Sequence, residues 1–346
     1  MNILYFGDDS VSATSFHRAC ALKRLGHEVI VCNPKESLNK FVRNKYLNVF
    51  NYHTGYVFTQ LIIQKWIKKL LTNLKLIDLI WIDSGELFGP KCLKELKSLK
   101  CPIVLYNHDD PTGKRDGNRF YLLQKSIQYY DLCVVVRAEN VNEFKKLGAK
   151  KVLKVFRSYD EEMHKPFDSI SDISTEFRSE VAFIGTWMRN EKRDEFLLEL
   201  IKNGLQVSIW GDRWEKSPFW EKLQPYYRGR SLGGRDYVAA IQGAKICLGF
   251  LSKGNRDLHT TRTMEIPYAG GLFCAERTTE HLELYKEGVE AVFWEDVDEC
   301  AEVCKKLLAD DVLSENIRQA GMKKVRELHL GHEDVCKEII ENLNVK

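Results

Sequence analysis

Proline is scarce in this chain, 8 residues in 346, and glycine reaches only 22, which excludes a collagen-like or low-complexity protein. No stretch reaches the ~18 uninterrupted apolar residues that a membrane-spanning helix needs. The N-terminus opens directly on the strand-like Ile3-Leu4-Tyr5-Phe6, without the basic region or cleavage site of a signal peptide. Charge of one sign is not in excess: 52 Lys and Arg against 49 Asp and Glu leave +3, so net charge gives no ground for a nucleic-acid partner. The ten cysteines contain no CxxC pair. Cys300 and Cys304 fall four apart on an expected helix, yet no His or second Cys pair stands at zinc-site spacing. Buried free thiols and no metal are therefore expected, in a soluble cytoplasmic protein.

What the chain does have is a globular balance, 44% hydrophobic and 29% charged, and enough length for two domains at ~150 residues each. Short β-branched runs alternate with segments of helical period, the signature of stacked βαβ units and parallel sheets. In the first half the predicted strands are Ile3–Phe6, Glu28–Cys32, Leu79–Asp83, Ile103–Asn107, Leu132–Val136 and Val152–Phe156. In the second they are Val181–Gly185, Val207–Trp210, Ile246–Phe250, Leu272–Ala275 and Ala291–Trp294. Helical period returns in Val297–Leu308, Ser314–Leu328 and His332–Leu343, and no internal repeat is visible. The polar stretch Ser158–Arg178 reads as a linker. The expected organisation is an α/β architecture of two Rossmann-like parallel-sheet domains facing across a cleft: 1–160, a linker at 161–178, 179–330, and a terminal helix at 331–346.

Ligands of open parallel sheets bind beyond the carboxyl ends of the strands. In the first half those ends carry Gly7-Asp8-Asp9-Ser10, Ser84-Gly85-Glu86 and His108-Asp109-Asp110-Pro111. Three strand ends thus bring carboxylates and small residues to one edge, where a hydroxyl would be oriented or deprotonated. The same residue types also make ordinary turns and helix caps. A dinucleotide site would need GxGxxG after the first strand; GDDSVS stands there instead, with acids where a pyrophosphate would sit. The second half shows the opposite chemistry. Its strand ends lead into Gly185 with Arg189, Lys192 and Arg193, into Gly211-Asp212-Arg213, and into Lys253, Arg256, Asp257 and Thr260-Thr261-Arg262 ahead of Glu265 and a Gly270-Gly271 turn. Arginine forks and the amino end of a helix suit a diphosphate.

The run TTRTMEIPYAGGLFCAE, followed by LYKEGVEAVFWEDVDE, resembles the C-terminal half of GT-B glycosyltransferases, within the group that includes the CgeB-like spore maturation proteins. The pattern is carried by Arg262, Glu265, Gly270, Gly271, Gly288, Glu290, Phe293 and Trp294. FIGTWMRNEKRDEFL and DLIWIDSGELF extend the resemblance over most of the chain. It implies a GT-B architecture and a sugar-nucleotide donor bound by Gly185, Arg193, Gly211, Asp257, Thr260, Thr261, Arg262, Glu265, Gly270 and Gly271. Within that set Arg193 would lie on the phosphate side, Glu265 on the ribose and Asp257 on the sugar. Asp257 is one methylene shorter than the family's Glu, which leaves a retaining or inverting outcome open. The terminal helix would return to the first domain.

On this reading the chain is a hexosyltransferase-type enzyme without metal or cofactor, moving sugar to a glycan or lipid-linked hydroxyl. Asp8, Asp9, His108 or Asp109 would supply the base, and Gly7, Ser10, Glu86 and Asp110 would hold the acceptor. Between Leu61 and Lys75, apolar residues at helical spacing alternate with lysines. That is the pattern of a core-packed crossover helix or of one lying peripherally on the inner membrane face. An epimerase of the same fold and a non-catalytic nucleotide-binding module are the alternatives. The nucleotide base and the oligomeric state leave no side-chain signature.

Overall fold

A computed structural model of the chain describes residues 1–39, 44–74 and 76–343. It divides into two units: Met1–Phe156 with Gly254–Arg256 and His332–Lys346, and Arg157–Lys253 with Asp257–Gly331. Each unit holds one six-stranded sheet, and all registered strand pairs are parallel.

In the first unit the strands are β1 (Asn2–Phe6), β2 (Glu28–Cys32), β3 (Leu79–Asp83), β4 (Ile103–Asn107), β5 (Leu132–Val135) and β6 (Val152–Lys154). Their spatial order is β2-β1-β3-β4-β5-β6. The chain leaves β1 to one side for β2 and returns on the other side to β3, so a switch point lies beyond the ends of β1 and β3. Strands covered on both faces read as unbroken apolar runs, as in Ile3–Phe6 and Leu79–Ile82, which are wholly buried. One face packs Leu4, Phe6, Ile80 and Ile82; the other packs Ile3, Tyr5, Leu79 and Trp81.

The helix His332–Asn342 gives Val335, Cys336 and Ile339 to this second face and packs on the helix Thr14–Arg24. Burying each of the larger aliphatics is worth ~1.5–3 kcal/mol. The helix Gln60–Leu71 buries Ile63 and Ile67, with Ile62, Trp66, Leu70 and Leu71 against the same core. The apolar stripe of the 61–75 segment is thus spent inside its own unit, and Lys75 lies outside the described residues.

In the second unit the strands are β7 (Ser179–Ile184), β8 (Val207–Trp210), β9 (Tyr227–Gly229), β10 (Ala244–Gly249), β11 (Phe273–Glu276) and β12 (Val292–Trp294), ordered β12-β11-β10-β7-β8-β9. The switch point here falls between β7 and β10. β9, three residues at the sheet edge, was not expected from sequence; too short to show a period, it is held by pairing with β8. Ser158–Arg178 is not a free linker. It belongs to the second unit, where Phe167 exchanges hydrogen bonds with the Gln242 side chain and Tyr268 donates to the Glu161 carbonyl.

Candidate functional site

The switch point of the first unit opens into a cavity of 290 Å³ lined by Gly7, Asp8, Asp83, Ser84, Glu86, His108, Asp109 and Arg119, among others. Gly7 is there because nothing larger fits: a Cβ on it would lie 2.1 Å from Ser15 Oγ and 2.7 Å from the Tyr5 ring. Beyond β3 the backbone turns through Ser84 (φ +66°) and Gly85 (φ +78°). A non-glycine residue costs about 1–3 kcal/mol in that region. Asn107 offsets this strain by donating to the Ser84 carbonyl at 2.7 Å.

The buried centre of this cavity is Asp83, which sequence reading passed over as a strand end. Arg18 donates to it at 2.6 Å and the Tyr5 hydroxyl at 2.9 Å. Burial works to raise the Asp83 pKa, but the Arg18 guanidinium and then His108 hold it well below the usual carboxylate range. Tyr5 is pushed well up by burial and by Asp83. His108 stands between two carboxylates, its Nδ1 3.8 Å from Asp83 and its Nε2 3.9 Å from Asp109. Arg119 pairs with Glu86 and reaches Asp109 at 3.5 Å.

Asp8 lies at the rim, bonded by Ser10 and 3.5 Å from Lys35. Partial burial opposes its ionisation, yet Ser10 and Lys35 bring its pKa down. Asp9 accepts from Asn33, a lining residue, at 2.7 Å, but neither Asp9 nor Ser10 lines the cavity itself. Asp110 does not line it either. It is buried and held by both arms of the Arg256 guanidinium at 2.6 and 2.7 Å and by Asn140 at 3.0 Å. Arg256 also binds Glu143, whose pKa it pulls to about 2. Asp110 therefore anchors a loop instead of facing the cavity.

At the switch point of the second unit, Gly185 and Gly211 close the ends of β7 and β8 against each other. With φ +146°, Gly211 would place a Cβ 2.1 Å from the Gly185 carbonyl oxygen. Arg193 opens the helix Arg193–Lys202 and donates to the carbonyls of Thr186 and Leu251, both at 3.0 Å, so it ties together the loops after β7 and β10. Arg262 opens the helix Arg262–Tyr268 and donates through Nε to the Ile184 carbonyl at 2.7 Å, which directs its guanidinium to the same strand end.

Three residues on, Glu265 is buried and accepts from the Tyr237 hydroxyl at 2.7 Å, with His164 Nε2 at 3.8 Å. Its hydrogen-bond partner is thus Tyr237 instead of Arg262, the neighbour that helical spacing suggests. Burial and the Glu265 charge push the Tyr237 pKa well up, with Arg262 opposing them.

Ahead of this helix, Asp257 is buried 3.3 Å from Arg157. Arg157 N–H donates to His259 Nε2 at 3.0 Å, so His259 carries its proton on Nδ1 and gives it to Glu280 at 2.5 Å. Burial lowers the His259 pKa, although the Glu280 bond opposes the shift. The Thr260 N–H donates to Thr263 Oγ1 at 3.1 Å, and Thr261 is the residue from which the helix starts. Gly270 and Gly271 do not join this group. They end the helix and return the chain to β11, Gly271 packing on Ile241, Ile266 and Cys247, about 10 Å of helix away from Thr261.

An open depression of 640 Å³ is lined by Arg189, Lys192, Arg213 and Lys216 with Trp187 and Asp194.

Arg18 lies in the sequence among the apolar residues of an amphipathic helix, which was a legible sign of a buried partner; Tyr237, His164 and Glu280 carry no such sign. For a metal, the described residues offer one group, Cys274, Cys300 and Cys304, whose sulfurs lie within 4.8 Å of one another. Cys274 on β11 joins the helical pair across the core, a neighbour that spacing did not reveal. All three are wholly buried in an apolar cluster.

Residues 189–335 match the model of the glycosyl transferase-like family. No curated protein matches the chain by sequence. Among solved structures, HepE of Anabaena, determined in complex with UDP and glucose, superposes with a TM-score of 0.68 at 13% identity over 100% of both chains. Sucrose-phosphate synthase of Thermosynechococcus elongatus gives a TM-score of 0.71 at 12% identity, covering 99% of this chain and 98% of that one. The α,α-trehalose 6-phosphate synthase of Burkholderia multivorans gives 0.65 at 12% identity, with 99% and 98% covered. These structural likenesses establish the fold. The two parallel-sheet units are those of the GT-B architecture.

Proposed function

We propose that the protein is a glycosyltransferase that moves a sugar from a nucleotide-diphosphate sugar, with UDP as the nucleotide, to a hydroxyl acceptor. The observation that carries this reading is the glycosyl transferase-like match over residues 189–335. Within that span lie Arg193 and Arg262, which both donate to carbonyls at the end of β7, and Glu265, three residues on from Arg262. UDP is favoured because HepE, a protein of the same fold, was solved with UDP and with UDP-glucose. The narrower likeness to the CgeB-like group rests on Arg262, Glu265, Gly288 and Glu290.

In this reading the second unit binds the donor. Glu265, held by Tyr237, accepts both ribose hydroxyls, while Arg262 and the Thr261 N–H face the diphosphate, with Arg193 holding the surrounding loops; the Thr260 N–H is already taken by Thr263. Asp257 would contact the donor sugar. As the glycosidic bond breaks, negative charge grows on the departing diphosphate, and fixed cations stabilise it more than they stabilise the ground state. Arginines do this without a metal. The first unit takes the acceptor, a glycan or lipid-linked hydroxyl. His108 and Asp109 are the groups able to hold or accept its proton, and Asp83 orients His108 as a positioning residue.

Thermal melts with UDP, GDP, TDP, ADP and CMP test the donor site. UDP should raise Tm by a few degrees at saturating concentration. Glu265→Ala should weaken UDP binding about ten- to hundredfold, the worth of charged hydrogen bonds. Incubation with UDP-glucose and candidate acceptors should give a glycosylated product, lost in His108→Ala/Asp109→Asn. No shift with any nucleotide refutes the donor assignment, and interconversion of the UDP-sugar without acceptor identifies an epimerase instead.

A further inference from the structure

The helix Lys45–His53, the turn Val57–Thr59 and the start of the next helix carry apolar side chains to solvent. Tyr46 is 85% exposed, Phe50 50%, Phe58 68% and Leu61 66%. Asn51 is the one buried residue of the first of these helices. The exposed side chains form one band. Tyr46 and Phe50 are one turn apart, the Phe50 and Phe58 rings lie 5.4 Å centre to centre, and Leu61 follows one turn beyond Phe58. Lys65 and Lys69 continue the line, both exposed.

This band differs from the stripe of Ile63 and Ile67, which faces the core. It is also fixed in place. Asn44 caps the helix by accepting from the N–H groups of Tyr46 and Leu47, and the Tyr52 hydroxyl donates to Asp116 at 2.9 Å. Contiguous exposed apolar surface of this kind marks a docking site.

Charge identifies the partner. From Ser37 to Ile77 the sequence holds no Asp or Glu and seven Lys and Arg, in a chain with 49 acids in 346 residues. We propose that this face docks on an anionic lipid bilayer. The aromatic and aliphatic side chains would enter the boundary between headgroups and acyl chains, and the lysines would meet lipid phosphates. A second copy of the chain fits less well, because symmetric pairing would set like charge against like. The proposal is independent of the reaction assigned above, since binding to vesicles is read without substrate.

Flotation of the full chain with phosphatidylcholine vesicles, with and without about one-third phosphatidylglycerol, tests it. The wild type should bind the anionic vesicles, spare the neutral ones, and release as salt rises. Phe50→Ser/Phe58→Ser should reduce the bound fraction about tenfold or more with an unchanged melting temperature. Lys65→Glu/Lys69→Glu should remove the preference for anionic lipid. Negligible binding by wild type and variants alike overturns the proposal. So does a wild-type dimer that Phe50→Ser/Phe58→Ser converts to monomer, which would make the band a protein interface.

Discussion

Asp83→Asn removes the negative charge from a pair whose two side chains are each 2% exposed and 2.6 Å apart. The substitution keeps the shape and leaves the Arg18 guanidinium buried without its counter-charge. Breaking a buried pair from one side costs ~3–5 kcal/mol. At about 2–4 °C of Tm per kcal/mol for a domain of 150–250 residues, the variant should melt about 6–20 °C below wild type. Arg18→Met/Asp83→Leu, which discharges both partners, should recover most of that loss, because apolar residues of similar size avoid the desolvation cost.

The pH dependence has a definite sign. The folded pKa of Asp83 is depressed, so its contribution is fully present above the unfolded carboxylate value of about 3.9 and lost only as pH falls through the lower folded value. Urea unfolding at pH 7 and at pH 5 should therefore show the same deficit for Asp83→Asn. A deficit under about 1 kcal/mol, or a double variant as unstable as the single one, would refute the account of this pair.

His281 is held neutral by burial, its pKa lowered to about 4, while its Nε2 and Nδ1 contact Thr263 Oγ1 and the Glu276 carbonyl at 3.0 and 2.7 Å. Unfolded histidine binds the proton at pH below about 6.5. Stability should hence fall as pH drops from there to about 4, and His281→Asn should flatten that slope in pH-stepped urea melts. Gly211→Ala sets a Cβ 2.1 Å from the Gly185 backbone oxygen at φ +146°, a clash no rotamer relieves. It should cost more than about 2 kcal/mol, and a denaturation midpoint equal to wild type would show that the two strand ends can part.

Much of the sheet architecture was legible because parallel strands buried on both faces need unbroken apolar runs, as in Leu79-Ile80-Trp81-Ile82. Polar loops after Phe6, Asp83 and Asn107 could then be assigned to one edge by the geometry of parallel sheets. β9 escaped notice because three edge residues carry no period, and Ser158–Arg178 read as linker because its hydrogen bonds run to Gln242 and Tyr268, far along the chain. Asp110 illustrates the limit of residue type: the same carboxylate suits an acceptor or an arginine clamp, and Arg256, 146 positions away, takes it.

The amino-acid order by itself determined the α/β class, every described strand but β9, and the division into acidic and cationic strand ends, all of which follow from local hydrophobic period and chain direction. Tertiary structure alone decided which partner each carboxylate meets: Asp83 meets Arg18, Glu265 meets Tyr237, and Asp257 meets Arg157. Those pairings are set by how strand ends and helices meet across a folded unit, where burial makes each polar group take the partner within reach, and no period along the chain encodes that distance.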